Sequence, residues 1–384
     1  PSFTLLGSSI IRFPFILNSS FPHEILHNWW GNGVFVDCAK GNWCEGLTAY
    51  LADYFLKEQS GEGAEHRRLI LQKYKNYATS GVGKDFPISK FTGRHSGATE
   101  AIGYGKTAMF FHMLRREVGD KIFFDALRQF YREYKFKPAS FDDIESVFSK
   151  INGRSLKWIF EQWIEWTGAP SLKTQDVIVK KEGEKYVLSA IIEQTQNTIP
   201  YRLKVPLVVY MKGVTDPYRM DIDIYGREFQ LEIILPAQPI HLNIDPDFEI
   251  FRILDRNETP PAMSLMFGAE KISAVLPADA PKLVRSAYSE LAKSWRVDEI
   301  RFDNELSELT NDRAVWVFGW ENKFRPDISK ALSCYDFVDD QDVCINGVKL
   351  QRNQHSVAVM ARNPVNNDYA LGWLATDSVS AISG

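Results

Sequence analysis

The chain has 384 residues, 45% of them hydrophobic, with 45 Lys+Arg against 49 Asp+Glu for a formal net charge of −4. That composition excludes a disordered, collagen-like or disulfide-dense chain, and the near-balanced charge argues against a bulk nucleic-acid binder. No window approaches the ~18 consecutive apolar residues of a membrane span, and at roughly 100–200 residues per domain the length suggests two or three domains. The chain opens at Pro1 in the strand-like run Phe3-Thr4-Leu5-Leu6 and stops at Gly384 inside a helical pattern. It is therefore expected to be an excised piece of a longer protein, and the lack of a signal peptide says nothing about location.

From about Ser19 to Gly168 apolar residues recur at three- and four-residue steps, as in Met109, Phe110, Met113 and Leu114 or Phe123, Phe124, Leu127, Phe130 and Tyr131. This is a helical period, punctuated at Gly61/Gly63, Gly81/Gly83, Gly119, Pro138 and finally Gly168-Ala169-Pro170. Ser140 followed by Asp143 predicts a capped start for a helix through Phe148. After Pro170 the period becomes two: Tyr186–Ile192, Leu203–Val209, Met220–Ile224, Phe229–Ile233 and Leu242/Ile244 alternate with polar or small partners. Short strands separated by turn residues predict a small antiparallel β-sandwich. Arg256 to Ser264, with Asn257, Pro260 and Pro261, reads as a linker. Beyond it strand and helix patterns alternate: Ile272–Leu276, Lys282–Trp295, Glu299–Phe302, Ala314–Phe318, Ile328–Leu332, Val357–Ala361 and Ala370–Ala375. The expected organisation is thus multidomain α+β: a mainly helical domain at 1–170, a β-sandwich at 171–255 and a small α/β domain at 265–384. The turn Leu276-Pro277-Ala278-Asp279 lacks a glycine-rich phosphate fingerprint, so no nucleotide site is expected.

The chemistry concentrates in His23-Glu24-Ile25-Leu26-His27. On a helix, residues four apart share a face, so both imidazoles can reach one Zn²⁺. Glu24 is turned away from that shell and can serve instead as general base for a metal-activated water. A surface helix with two incidental His is the competing reading. A catalytic zinc takes a third protein ligand and keeps a position for water. Glu45, in the first turn of the amphipathic helix that follows Trp43-Cys44, is the candidate; an acid favoured by the helix dipole explains it without metal.

With its surroundings, His23-Glu24-Ile25-Leu26-His27-Asn28-Trp29-Trp30-Gly31-Asn32 followed by Trp43-Cys44-Glu45-Gly46 resembles the gluzincin zinc peptidases of the M1 aminopeptidase family. The resemblance implies a thermolysin-like catalytic domain with one zinc on His23, His27 and Glu45, Glu24 as base, and a peptide or protein substrate. It extends to Ile102-Gly103-Tyr104-Gly105-Lys106-Thr107, similar to the family's Tyr-x-Lys-Gly segment, and so implies that Tyr104 donates to the oxyanion, a role the chemistry requires of some donor. It covers about residues 1–170 closely and 171–255 loosely. The His27–Glu45 gap is one residue shorter than usual, Cys44 stands where Asn or Asp is common, and Gly-Lys-Thr follows Tyr104 instead of Glu-Lys-Gly. No Gly-x-Met-Glu-Asn segment, whose Glu holds the substrate amine in the family, precedes His23; Pro1-Ser2-Phe3-Thr4 is expected on the equivalent edge strand without supplying a carboxylate.

Several residues carry blander expectations. Arg94 and His95 lie in a Gly-flanked loop that is either solvated or turned to the cleft to bind a substrate carboxylate or carbonyl. His66, His112, His241 and His355 have no partner at metal spacing and read as surface or satisfied structural His. Trp29 and Trp30 read as packing at the end of the first helix. Thr48 reads equally as a second-shell hydrogen-bonding group or a helix-surface residue. Cys38/Cys44 and Cys334/Cys344 each close a short loop, so spacing favours two local disulfides, which would suit an exported enzyme, over four thiols, which would suit the cytoplasm. Neither pair has the Cys-x₂₋₄-Cys spacing of a Cys₄ zinc site. Two other functions fit the motif: another zinc hydrolase on the same scaffold, such as an epoxide hydrolase or esterase, and a binding protein with a structural zinc.

Overall fold

The two periodicities of the sequence become elements in a computed structural model that describes all residues except 1–3, 5, 9–10, 14–15, 18–19, 80–83, 256–257, 260, 333–336, 339–341, 346–347 and 384. The side chains of 264, 337–338, 342, 344–345, 348–349 and 383 are likewise outside it. Phe3 and Leu5 of the opening run, the Pro1–Phe3 part of the expected edge strand, the Gly81/Gly83 break, Cys334 and the Cys344 side chain therefore lie outside the described residues. Helix and sheet are mixed along the chain, which divides into two units, Pro1–Arg256 and Asn257–Gly384.

In the first unit, helix Ser20–Leu26 precedes a helical run that starts at Cys44–Ala49, widens to a π-helical turn at Tyr50–Tyr54 and continues as Phe55–Gln59. Helix Gly63–Tyr77 follows. A second composite run begins at Gly97–Glu100, passes through the π-helical turn Ala101–Lys106 and ends as Thr107–Val118. Gly119, at φ +83°, breaks it sharply from Asp120–Tyr134, a position an L side chain rarely adopts. Helix Phe141–Asn152 starts as the sequence predicts: Asp143 Oδ2 accepts from the Ser140 backbone N–H and hydroxyl, each at 2.8 Å.

Two three-stranded antiparallel sheets complete the unit. One orders Leu172–Glu182, Lys185–Gln194 and Glu228–Leu235; the other orders Tyr218–Ile224, Leu203–Met211 and Pro239–Ile244. Leu188, Ala190 and Ile192 in one and Leu203, Val205, Leu207 and Val209 in the other are buried at every second position, as the alternation predicts. Strand Leu172–Glu182 was not in that pattern. It is a mostly exposed edge with a register shift between Gln175 and Ile178, so no alternation marks it. Core residues of the helices and both sheets form one continuous cluster from Trp30 to Leu254. Polar ties cross the same seam: Arg67 Nη2 donates to Asp247 O at 2.8 Å, His112 Nε2 meets Glu249 Oε2 at 2.7 Å, and Gln162 Nε2 donates to Arg202 O at 3.0 Å.

The second unit carries a five-stranded sheet in the order Glu299–Phe302, Ile272–Leu276, Ala314–Phe318, Ala370–Ala375, Val357–Arg362. The pairings are parallel except the last, and helices Lys282–Ser294 and Arg325–Ala331 connect strands. The end of the segment read as linker is instead the start of helix Met263–Phe267.

Candidate active site

Aromatic packing sets the helix of His23 and the helix of Glu45. Trp30 is buried, stacked on Phe130 at 6.1 Å and edge-on to Trp43 at 6.3 Å, while Trp43 Nε1 donates to Ala139 O at 2.7 Å. Trp30 therefore packs as expected, whereas Trp29 is exposed and outside the core. Between them the chain reverses at Gly31, φ +102°, where an added Cβ would stand 2.9 Å from Cys44 Sγ. Gly46, directly after Glu45, lies against Thr107 and 3.0 Å (from an added Cβ) from the Gly103 carbonyl, so the helix of Glu45 crosses the helix of Tyr104 at glycines.

This packing brings three of the sequence-predicted residues together. His23, His27 and Glu45 each offer a ligand atom within 4.8 Å of the others. His23 Nε2 and His27 Nε2 stand 3.6 and 3.5 Å from the same Glu45 Oε2. Bonds of roughly 2.1 Å to a tetrahedral Zn²⁺ put ligand atoms about 3.4 Å apart, so the spacing fits that ion. The distal nitrogens are also engaged: His23 Nδ1 with Asp53 Oδ2 at 3.0 Å and His27 Nδ1 with Trp30 O at 3.1 Å. Such outer partners fix the tautomer and aim the other nitrogen at a metal. On its donor chemistry the cluster fits zinc.

Charge agrees with geometry. Against burial, which would lower it, His23 is raised to about 9 by hydrogen bonds to Asp53 and Glu45. Against burial in the other direction, the two imidazoles hold Glu45 well below the carboxylate range. An anionic carboxylate facing two rings attracts positive charge to the point where they converge, and protons and a divalent cation compete for it. Cys38 and Cys44 are both free thiols, which corrects the expected pairing. Cys44 is buried, its Sγ donating to Trp30 O at 3.0 Å and lying 3.3 Å from His27 Nδ1; burial pushes the thiol up, so it stays protonated.

A cavity of about 1020 Å³ opens over the cluster, with Glu24, Tyr104, Asp53, Lys73, Arg94 and Glu100 on its walls. Tyr104 is half-buried in the π-helical turn, its ring stacked on His23 at 6.2 Å and edge-on to Phe91 at 6.0 Å. Burial and the Glu45 carboxylate push its hydroxyl up. Of the loop pair, Arg94 lines the cavity and His95 does not. Thr48 is fully buried and not on a helix surface. His112 is the satisfied structural His expected, bonded to Glu249; His241 and His355 are exposed, and His66 lines the cavity half-buried. Asp53, Lys73 and Glu100 escaped sequence reading. For Asp53 a signal existed, an acid about two turns after Glu45 on the same helix face; Lys73 and Glu100 carry none.

Residues 18–163 match the family described as Peptidase family M1 domain, a stretch that contains His23, Glu24, His27, Glu45 and Tyr104. Over that stretch the chain is similar to a peptidase family M1 domain. Alanine/arginine aminopeptidase of Saccharomyces cerevisiae is 20% identical to it over 323 residues, 77% of this chain and 36% of that protein. The mitochondrial aminopeptidase 2 of the same yeast is 21% identical over 159 residues, 40% of this chain and 17% of that protein. Among solved structures, Legionella pneumophila aminopeptidase A in complex with aspartic acid aligns at 17% identity and a TM-score of 0.41, covering 75% of this chain and 31% of that one. The chain thus spans no more than 36% of the length of these relatives. Among the described residues no helix is long and apolar enough to cross a membrane.

Proposed function

We propose that this chain is a zinc-dependent peptidase of aminopeptidase type, with a thermolysin-like catalytic domain at 1–170, a β-sandwich at 171–255 and an α/β domain at 265–384. The supporting observation is the convergence of two imidazole nitrogens on one Glu45 oxygen, at 3.6 and 3.5 Å, on a cavity that Glu24 and Tyr104 also line. His23, His27 and Glu45 would hold one zinc, leaving a position for water or substrate. When bound, the metal supplies Lewis acidity toward a peptide carbonyl and acidifies a water. Glu24, one residue from His23 and so turned off the ligand face, takes the proton from the attacking water and returns it to the leaving amine. The Tyr104 hydroxyl, kept protonated by burial and the nearby Glu45 carboxylate, donates to the oxygen on which negative charge develops. Asp53 and Trp30 O hold the two ligand rings in place throughout.

The test is Glu24→Gln, which keeps shape and metal ligands while removing the base. With a panel of aminoacyl nitroanilides and N-blocked peptides, the wild type is expected to hydrolyse members of the first set. The variant is expected to bind zinc one to one with activity lower by roughly 10²–10⁴. Wild-type turnover in Glu24→Gln, or a wild type that takes up no zinc, overturns the reading.

A further inference from the structure

The cavity wall beyond Tyr104 carries two cations against one carboxylate. Lys73, on helix Gly63–Tyr77, places Nζ 3.0 Å from Glu100 Oε1, and Arg94 places Nη1 3.8 Å from Glu100 Oε2. At that distance Arg94 has a Coulombic neighbour and no hydrogen-bond acceptor, and among the described residues its guanidinium donates to none. Its Cζ lies 5.9 Å over the ring of Tyr104, the ring that stacks on His23. Of the other cavity carboxylates, Glu45 is committed to both His and Asp53 to His23, while Glu24 stands beside the ligand-type cluster as the proposed base. This wall is therefore net positive, with the planar fork of an arginine facing open space.

The corner that presents Arg94 is built. Thr99 Oγ1 accepts from the backbone N–H groups of His95 and Ser96, both at 2.8 Å, and the Thr99 N–H donates back to Ser96 Oγ at 3.2 Å. Gly97 sits so close to the Tyr77 ring that an added Cβ would stand 2.8 Å from Cδ1. A side chain rooted in such a corner loses less freedom on binding than one on a loose loop. Arginine pairs a carboxylate through two parallel N–H bonds, and a lysine one helix away adds a point charge.

We propose that Arg94, assisted by Lys73, is a specificity-determining residue that binds a carboxylate of the substrate on the Tyr104 side of the scissile bond. The carboxylate belongs either to the free C-terminus of a short peptide or to an Asp or Glu side chain. This inference rests on the peptidase reading above.

Four peptides of one length test it: neutral with an amidated C-terminus, neutral with a free C-terminus, and each of these with one acidic residue. They are titrated into zinc-loaded Glu24→Gln protein, with and without Arg94→Met, and hydrolysed by wild type. Carboxylate-bearing peptides are expected to bind about tenfold tighter than the neutral amide, an advantage lost in Arg94→Met and only partly restored in Arg94→Lys, which keeps the charge without the paired N–H donors. Which arm carries the advantage identifies the source of the carboxylate. Equal binding of all four, or an advantage that survives Arg94→Met, overturns the proposal. Selective binding with no turnover by wild type instead overturns the peptidase reading and leaves the carboxylate site standing.

Discussion

Gly46→Ala adds one methyl group at the crossing of the Glu45 and Tyr104 helices. The new Cβ would fall inside the van der Waals envelope of Thr107 Cβ and Cγ2 and 3.0 Å from the Gly103 carbonyl oxygen. Two of those three atoms are backbone or directly attached to it, so no rotamer change relieves the contact. With carbon contacts optimal at about 3.5–4.0 Å, the helices must separate by on the order of 1 Å. Overpacking of this kind costs about 3 kcal/mol at its upper end, offset by about 1 kcal/mol for replacing a helical Gly by Ala. The net is a loss of about 2 kcal/mol, or a Tm lower by about 5 °C for a unit of this size. Because Glu45 and Tyr104 sit on opposite sides of the crossing, a 1 Å displacement should also lower kcat/KM by roughly 10². Calorimetry and steady-state kinetics on the zinc-loaded protein measure both, and Gly46→Ala/Thr107→Gly should recover part of each loss. Propensity alone predicts the opposite sign: a Tm equal to or above wild type with unchanged kcat/KM refutes the steric argument.

Tyr104→Phe should lower kcat by roughly 10²–10³ with zinc content unchanged, as for loss of one oxyanion donor; an unaltered kcat removes Tyr104 from the chemistry. Asp53→Asn leaves a hydrogen-bonding group beside His23 but no charge, and should weaken zinc binding by about 10–100-fold in chelator competition. Equal affinity would make Asp53 a bystander. Lys106 is buried, with Nζ donating to Trp166 O at 2.9 Å and Gly168 O at 3.0 Å, and burial lowers it to about 8. The unfolded chain therefore binds the extra proton between about pH 8 and 10.5, and wild-type stability relative to Lys106→Met should rise across that window by about 3 kcal/mol. Denaturation midpoints that run parallel at the two ends of the window contradict that assignment.

The site was legible where its logic is local. His23, Glu24, His27 and Glu45 follow from helical spacing and ligand chemistry, and the structure brings side-chain atoms of His23, His27 and Glu45 within 4.8 Å of one another; Tyr104 was singled out only through family resemblance, because nothing in its own helix separates it from a packing aromatic. Asp53 needed the further question of which acid shares a face with Glu45. Lys73 and Glu100 meet across 27 residues of chain, a pairing that no periodicity encodes. The same limit explains the misread cysteines: a six-residue spacing suggested closure, but Cys44 is drawn inward to Trp30 O while Cys38 stays at the surface. In the first unit, strands such as Lys185–Gln194 announced themselves by alternation, and the exposed edge Leu172–Glu182 did not. Neither π-helical turn, at Tyr50–Tyr54 or Ala101–Lys106, has a sequence mark, although both set the facing of cavity residues.

The seam between the helices and the sheets has a consequence for synthesis. Helix Gly63–Tyr77, which forms one cavity wall, is fastened at Arg67 to Asp247 and Glu249 and at Lys75 to Leu254 O. His112, on the helix that continues from Tyr104, reaches the same Glu249. The wall that carries Lys73 thus waits for partners about 180 residues downstream. At 5–20 residues per second that delay is roughly 10–40 s, in which the nascent helices have no finished cavity to close around. Contacts of that span require a long loop to close, so the ties at Arg67 and Lys75 are expected to form after the local helices they fasten.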